Sequence, residues 1–66
     1  MCRADPGEWR KVERALLELL SRPAPGWVRR ELASLLRDLY SWDPSEEVCY
    51  DEFWARIARY SRVAKG

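Results

Sequence analysis

The sequence predicts an all-α protein, a small three-helix bundle, from three observations. Apolar residues recur at the three- and four-residue spacing of amphipathic helices in three successive segments. Stretches that contain Pro or Gly separate these segments, and no segment shows the apolar–polar alternation of a strand. The chain has 66 residues, 47% of them hydrophobic and four of them Trp, so one compact core is feasible. Residues 5–66 are therefore predicted to form a single helical domain, preceded by a mobile tail at residues 1–4.

The first helix is predicted over residues 6–21. It begins at Asp5-Pro6-Gly7-Glu8, where the Asp can accept from free backbone amides and the Pro suits the first helical position. The Glu of this segment lies at the position that completes a capping box. The apolar stripe that follows comprises Trp9, Val12, Leu16, Leu19 and Leu20, and it is widened by Ala15 and Leu17.

The second helix is predicted over residues 26–41, after a break at Arg22-Pro23-Ala24-Pro25-Gly26. Arg29 and Arg30 occupy its first turn, where the helix dipole disfavours positive charge. Both are therefore candidate contacts for an anionic partner. The apolar stripe of this helix comprises Val28, Leu32, Leu35, Leu36 and Leu39.

The third helix is predicted over residues 44–64, with two alternatives for its start. It begins at Pro44, because Asp43-Pro44-Ser45-Glu46 repeats the D-P-x-E pattern of the first helix, or it restarts near Asp51 after a short turn. Acids near its start and bases near its end complement the helix dipole in both cases. Its apolar positions are Val48, Phe53, Trp54, Ile57, Tyr60 or Ser61, and Ala64.

The two cysteines, Cys2 and Cys49, leave two pairing states open. A disulfide would tie the N-terminal tail to the start of the third helix, whereas separate thiols are favoured for an intracellular protein. The sequence contains no visible signal-peptide pattern and no apolar run near the roughly 20 residues of a membrane span. We therefore predict a cytoplasmic location and no membrane contact.

The composition also suggests adaptation to heat. The chain has no His, Asn, Gln or Thr, and Arg outnumbers Lys ten to two. Few thermolabile amides and many ion-pairing side chains are typical of thermophilic proteins. Because genomic base composition also favours Arg over Lys, thermophily is a hypothesis at this point.

The residues that catalysis requires are largely missing. There is no His for general acid–base chemistry, no Ser or Cys beside an activating partner, and no Gly-rich phosphate loop. The paired acids Glu46/Glu47 and Asp51/Glu52 are better explained as helix-start residues. The sequence therefore predicts a protein that is not an enzyme and has no cofactor or small-molecule substrate.

Val48-Cys49-Tyr50-Asp51-Glu52-Phe53 resembles the exit half of an EF-hand calcium loop. The resemblance implies that Glu52 would be the bidentate calcium ligand. The preceding residues depart from the pattern, because Glu46 replaces the Gly of the sharp turn, Pro44 stiffens the loop, and Ser41 replaces the leading Asp. We therefore predict no metal site.

Two functions remain, and the first is a protein-interaction or assembly module that self-associates or belongs to a complex. Four Trp residues are difficult to bury in so short a chain. Trp27 and Trp42 lie at predicted helix ends, and aromatic residues are enriched among the residues that dominate interface energetics. These two are the candidate interface aromatics.

The alternative is a small nucleic-acid-binding protein, either a helix-turn-helix-like regulator or an architectural coat protein. After Phe53 the chain has four bases and no acid. Arginines at helical spacing can meet successive phosphates, although a net charge of +1 and the lack of Asn and Gln favour contacts with the nucleic-acid backbone over base readout. The candidate residues are Arg56, Arg59, Arg62 and Lys65, together with Arg29 and Arg30.

Overall fold

The computed structural model describes residues 1–64 and contains three helices, α1 (Pro6–Leu20), α2 (Gly26–Tyr40) and α3 (Tyr50–Ser61). The indole N–H of Trp9, near the start of α1, donates to the carbonyl oxygen of Leu39 at the end of α2, at 3.3 Å. The indole N–H of Trp54 in α3 donates to the carboxylate of Glu8. α2 therefore runs antiparallel to the other two helices, and the prediction of a three-helix bundle is confirmed.

The core consists of the apolar stripes that the helical spacing identifies. Trp9 is 7% exposed, and the residues that follow it at spacings of three and four on α1 are buried as well. Burial of each large apolar side chain stabilises the fold by about 1.5–3 kcal/mol relative to its exposure. The buried residues on the three stripes are Trp9, Val12, Leu16, Leu19, Val28, Leu32, Leu35, Leu39, Val48, Phe53, Ile57, Tyr60 and Ala64. The prediction that Leu17 widens the first stripe is wrong, because its side chain is 48% exposed.

At the start of α1, Asp5 caps the helix as predicted, but the side chain of Glu8 does not. Asp5 Oδ1 accepts a hydrogen bond from the Glu8 backbone N–H at 3.1 Å, and Pro6 occupies the first helical position. The Glu8 side chain does not return to the cap. It accepts the Trp54 hydrogen bond and lies 3.6 Å from the guanidinium of Arg3. Glu8 thus joins α1 to α3, and the prediction of a complete capping box is wrong.

α3 begins at Tyr50, so the restart near residue 51 describes the structure and the unbroken helix from residue 44 is wrong. The second D-P-x-E segment closes a turn instead. The Asp43 backbone N–H donates to Glu46 Oε1 at 2.6 Å, and the hydrogen bonds that Ser45 donates to the Asp43 carboxylate lower the pKa of Asp43. The helix also ends at Ser61, three residues before the predicted end.

The cause of the late start is the N-terminal segment. Arg3 and Val48 form an antiparallel bridge, in which each backbone N–H donates to the other residue's carbonyl oxygen at 3.0 Å. Cys2 and Cys49 lie opposite each other beside this bridge and form a disulfide. The prediction of separate thiols is therefore wrong. Residues 1–4 are fastened to the loop before α3 and do not form a free tail.

The fastened segment covers Tyr50, the largest fully buried side chain in the described part of the chain. The guanidinium carbon of Arg3 lies 5.5 Å from the centre of the Tyr50 ring, within the range of a cation–π interaction. Burial raises the pKa of the Tyr50 hydroxyl, which has no hydrogen-bond partner among residues 1–64. Arg3 thus contributes to the core through its contact with an aromatic ring.

Candidate interaction surface

A groove of about 430 Å³ opens at one end of the bundle. It lies between the C-terminal end of α2, the loop at residues 41–49 and the N-terminal half of α3. Leu35, Val48 and Phe53 give it an apolar floor, and Trp42 lines its side. Its volume falls within the roughly 300–1,000 Å³ of typical binding clefts.

Trp42 is half-exposed because of its place at the end of α2. Its backbone N–H donates to the carbonyl oxygen of Leu39 at 3.1 Å and so extends the last helical turn by one residue. The turn at Asp43-Pro44 then leads the chain away from the helix axis. As a result, the Trp42 ring borders the groove and remains 42% exposed.

The rim of the groove is acidic. Asp38, Glu47 and Glu52 line it, with Arg56 as the single basic residue, and all four are exposed. Within residues 1–64 none of these four side chains takes part in an ion pair. The groove therefore combines an apolar floor with a rim of three unpaired carboxylates and one arginine, an arrangement that suits an apolar group flanked by positive charge.

The opposite end of the bundle carries the second exposed tryptophan. Trp27 lies in the first turn of α2 and is 51% exposed. Its ring packs edge-on against Tyr60 near the end of α3, with 6.3 Å between the ring centres. The two tryptophans that the sequence predicts as interface residues are thus exposed at opposite ends of the molecule.

The side chain of Arg29 forms hydrogen bonds within the fold. Its Nη1 donates to the carbonyl oxygens of Leu20 at 2.9 Å and Arg22 at 3.3 Å, at the C-terminal end of α1. These carbonyls carry the partial negative charge of the helix terminus, so the guanidinium stabilises α1. The position of Arg29 in the first turn of α2 therefore has a structural reason, and the sequence contained no signal for this contact.

The arginines of α3 that are predicted to bind nucleic acid lie at both ends of the bundle. Arg56 lines the acidic groove, whereas Arg59 and Arg62 lie at the other end, near the C-terminus of α3. All three are exposed, and in the described part of the chain none of them pairs with a carboxylate. Lys65 lies outside the described residues. Arg30 is exposed in α2 at the same end as Arg59.

This division belongs to a charge asymmetry of the whole bundle. The groove end carries eight of the eleven acids against five basic side chains, whereas the Trp27 end carries five arginines against two acids. The groove-end acids are Asp5, Glu8, Asp38, Asp43, Glu46, Glu47, Asp51 and Glu52, and the arginines at the Trp27 end are Arg22, Arg29, Arg30, Arg59 and Arg62. A net charge near zero thus conceals two ends of opposite sign.

Residues 1–64 contain no group of three or more Cys, Asp or Glu side chains arranged to hold a metal ion. None of the three helices in this part of the chain has the length and apolarity to cross a membrane. Comparison with protein-family models, curated proteins and solved structures finds no match for this chain.

Proposed function

We propose that this protein is a non-enzymatic protein-interaction module, whose groove beside Trp42 receives an apolar side chain of a partner. One observation carries the proposal: a half-exposed tryptophan borders an apolar cleft whose three carboxylates have no basic partner among the described residues. Partner binding would complete the burial of Trp42. The acidic rim would favour basic residues around the inserted group.

The apolar floor and the acidic rim of the groove are expected to contribute to binding in different ways. Burial of apolar surface contributes about 25 cal/mol per Å², and tryptophans at the centre of an interface often account for 2 kcal/mol or more of binding free energy. Exposed ion pairs contribute little to affinity, but they steer association and make it depend on salt. The affinity should therefore depend mainly on Trp42, and the salt dependence mainly on Asp38, Glu47 and Glu52.

A peptide titration tests the proposal. The probe is a fluorescent amphipathic peptide with Leu and Trp anchors flanked by Lys, and binding is followed by fluorescence anisotropy. We expect saturable binding that weakens about 30-fold or more in Trp42→Ala, since a hot-spot truncation costs about 2 kcal/mol or more.

Trp27→Ala is the matched control, because it removes an equally exposed tryptophan at the other end of the bundle. At protein concentrations low enough for the wild type to be monomeric, it should bind the peptide as the wild type does. Circular dichroism confirms that both variants are folded. No binding to the wild type, or equal binding to both variants, would contradict the proposed function.

The compartment proposed for this module is the cytoplasm of a heat-adapted organism. The disulfide between Cys2 and Cys49 is unusual for a mesophilic cytosolic protein, but intracellular proteins of hyperthermophiles are rich in disulfides. The absence of the thermolabile residues Asn and Gln supports the same environment.

Nucleic-acid binding is the second candidate, favoured by the exposed and unpaired state of Arg56, Arg59 and Arg62 among the described residues. A mobility-shift assay at low salt compares the wild type with a variant that has Glu at these three positions. The matched control places Glu at Arg10, Lys11 and Arg14, which are exposed on α1, and has the same net charge. Loss of binding in the first variant alone supports this function, whereas no shift with the wild type, or equal losses, would reject it.

A further inference from the structure

We propose that the occupant of the Trp42 groove is a second copy of this chain, which inserts its Trp27 end and assembles head to tail. This inference rests on the proposed function and names its partner. It follows from two surfaces at opposite ends of one molecule, a cleft with an acidic rim and an exposed aromatic ring among arginines. The cleft can receive the aromatic ring, and the acidic rim can pair with the arginines.

The groove is large enough for the aromatic side chain exposed at the other end. Trp27 is the largest side chain with substantial exposure at its end of the bundle, and the groove of about 430 Å³ can admit an indole ring. Trp27 is held in place by its contact with Tyr60 and by its position one residue after Gly26, where α2 begins. Because the indole of Trp27 is already ordered, it loses little side-chain entropy on insertion, which favours binding.

The charges match as well. Arg30 lies one helical turn after Trp27, and Arg59 lies one residue before its contact partner Tyr60. An inserted Trp27 would bring these arginines towards the rim carboxylates of Asp38, Glu47 and Glu52 in the next copy. Exposed ion pairs add little to affinity, so the main effect of these pairs is on orientation.

Orientation decides the symmetry of the assembly. Contact of two grooves would oppose two acidic rims, and contact of two Trp27 ends would oppose two sets of arginines, so like charges disfavour both two-fold arrangements. A head-to-tail contact joins different surfaces of the two copies and leaves one of each unoccupied. Such an interface continues into an open chain or closes into a ring.

A complementation experiment tests this geometry by sedimentation velocity. Wild-type protein at high concentration is expected to form oligomers, whereas Trp27→Ala and Trp42→Ala should each remain monomeric. An equimolar mixture of the two variants should form dimers and nothing larger. Trp27→Ala supplies an intact groove and Trp42→Ala supplies an intact Trp27 end, so only one type of junction can form.

Leu17→Ala is the control, because it removes an exposed apolar side chain of α1 that belongs to neither surface, and it should assemble as the wild type does. High salt should shift the wild type towards monomer. A mixture that stays monomeric while the wild type assembles would overturn the head-to-tail geometry. A wild type that stays monomeric but binds the basic peptide would overturn the second copy as occupant, while the proposed function stands. A wild type that neither assembles nor binds the peptide would reject both proposals.

Discussion

Replacing Cys2 and Cys49 by Ser is expected to lower the free energy of unfolding by about 4 kcal/mol, according to the loop-entropy relation for residues 47 apart. A domain of 66 residues has a total stability of roughly 3–10 kcal/mol, so the variant should lose a large part of it. The physical reason is that the disulfide restricts the unfolded chain. Without it, the pairing of Arg3 with Val48 must form at the full cost in chain entropy.

Guanidinium denaturation and thermal melting, both followed by circular dichroism, measure this effect. Wild-type protein treated with dithiothreitol is the control, because it lacks the cross-link but keeps both cysteine side chains. It should unfold like the double Ser variant, and the oxidised wild type should melt above the mesophilic range. Equal stabilities of the oxidised and reduced wild type would show that the disulfide is not stabilising, and a mesophilic midpoint of the oxidised form would reject heat adaptation.

Leu32→Ala is expected to lower the free energy of unfolding by about 2–5 kcal/mol, the usual cost of truncating a fully buried leucine. Leu32 is 0% exposed at the centre of α2, where it packs in the cluster shared by all three helices. Its loss removes apolar contact and leaves a cavity that a small, cross-linked bundle can fill only in part.

Leu17→Ala makes the same chemical change on α1, where the side chain is 48% exposed. Surface substitutions of this kind usually change stability by about 0.5 kcal/mol or less. Comparing the urea midpoints of the two variants separates burial from helix propensity, because both replace Leu by Ala within a helix. Similar losses of stability in both variants would contradict the assignment of Leu32 to the core.

The sequence was sufficient to predict the parts of the fold that depend on local spacing. The predicted ranges of α1 and α2 extend only one residue beyond the helices in the structure, because Pro6 and Pro25 mark their starts and the apolar stripes continue to their ends. The stripes also identify most of the core, since a 3.6-residue period places those side chains on one face.

The start of α3 could not be decided in the same way, because a contact between distant residues determines it. Val48 pairs with Arg3, and a pairing of residues 45 positions apart leaves no periodic signal in a segment of four residues. Burial of Tyr50 was missed for the same reason, since the segment that covers it was predicted to be mobile.

The candidate site was predictable in its aromatic residues but not in its grouping of charges. The positions of Trp27 and Trp42 at helix ends indicated exposure, and the structure leaves both about half-exposed. The grouping of Asp38, Glu47 and Glu52 around one groove depends on the path of the loop between α2 and α3. For this reason the sequence groups Arg56 with Arg59 and Arg62 in one candidate set, whereas in the structure Arg56 lies at the acidic end.

The disulfide divides the chain into a covalently closed ring and an arm. The ring runs from Cys2 to Cys49 and contains α1 and α2, whereas α3 follows the second cysteine and packs on the ring through non-covalent contacts. The groove lies across the boundary, since Leu35 and Trp42 belong to the ring and Phe53 and Arg56 to the arm. A partner in the groove would therefore contact both parts and stabilise the packing of α3 on α1 and α2. Conversely, a firmly packed α3 would favour binding of the partner.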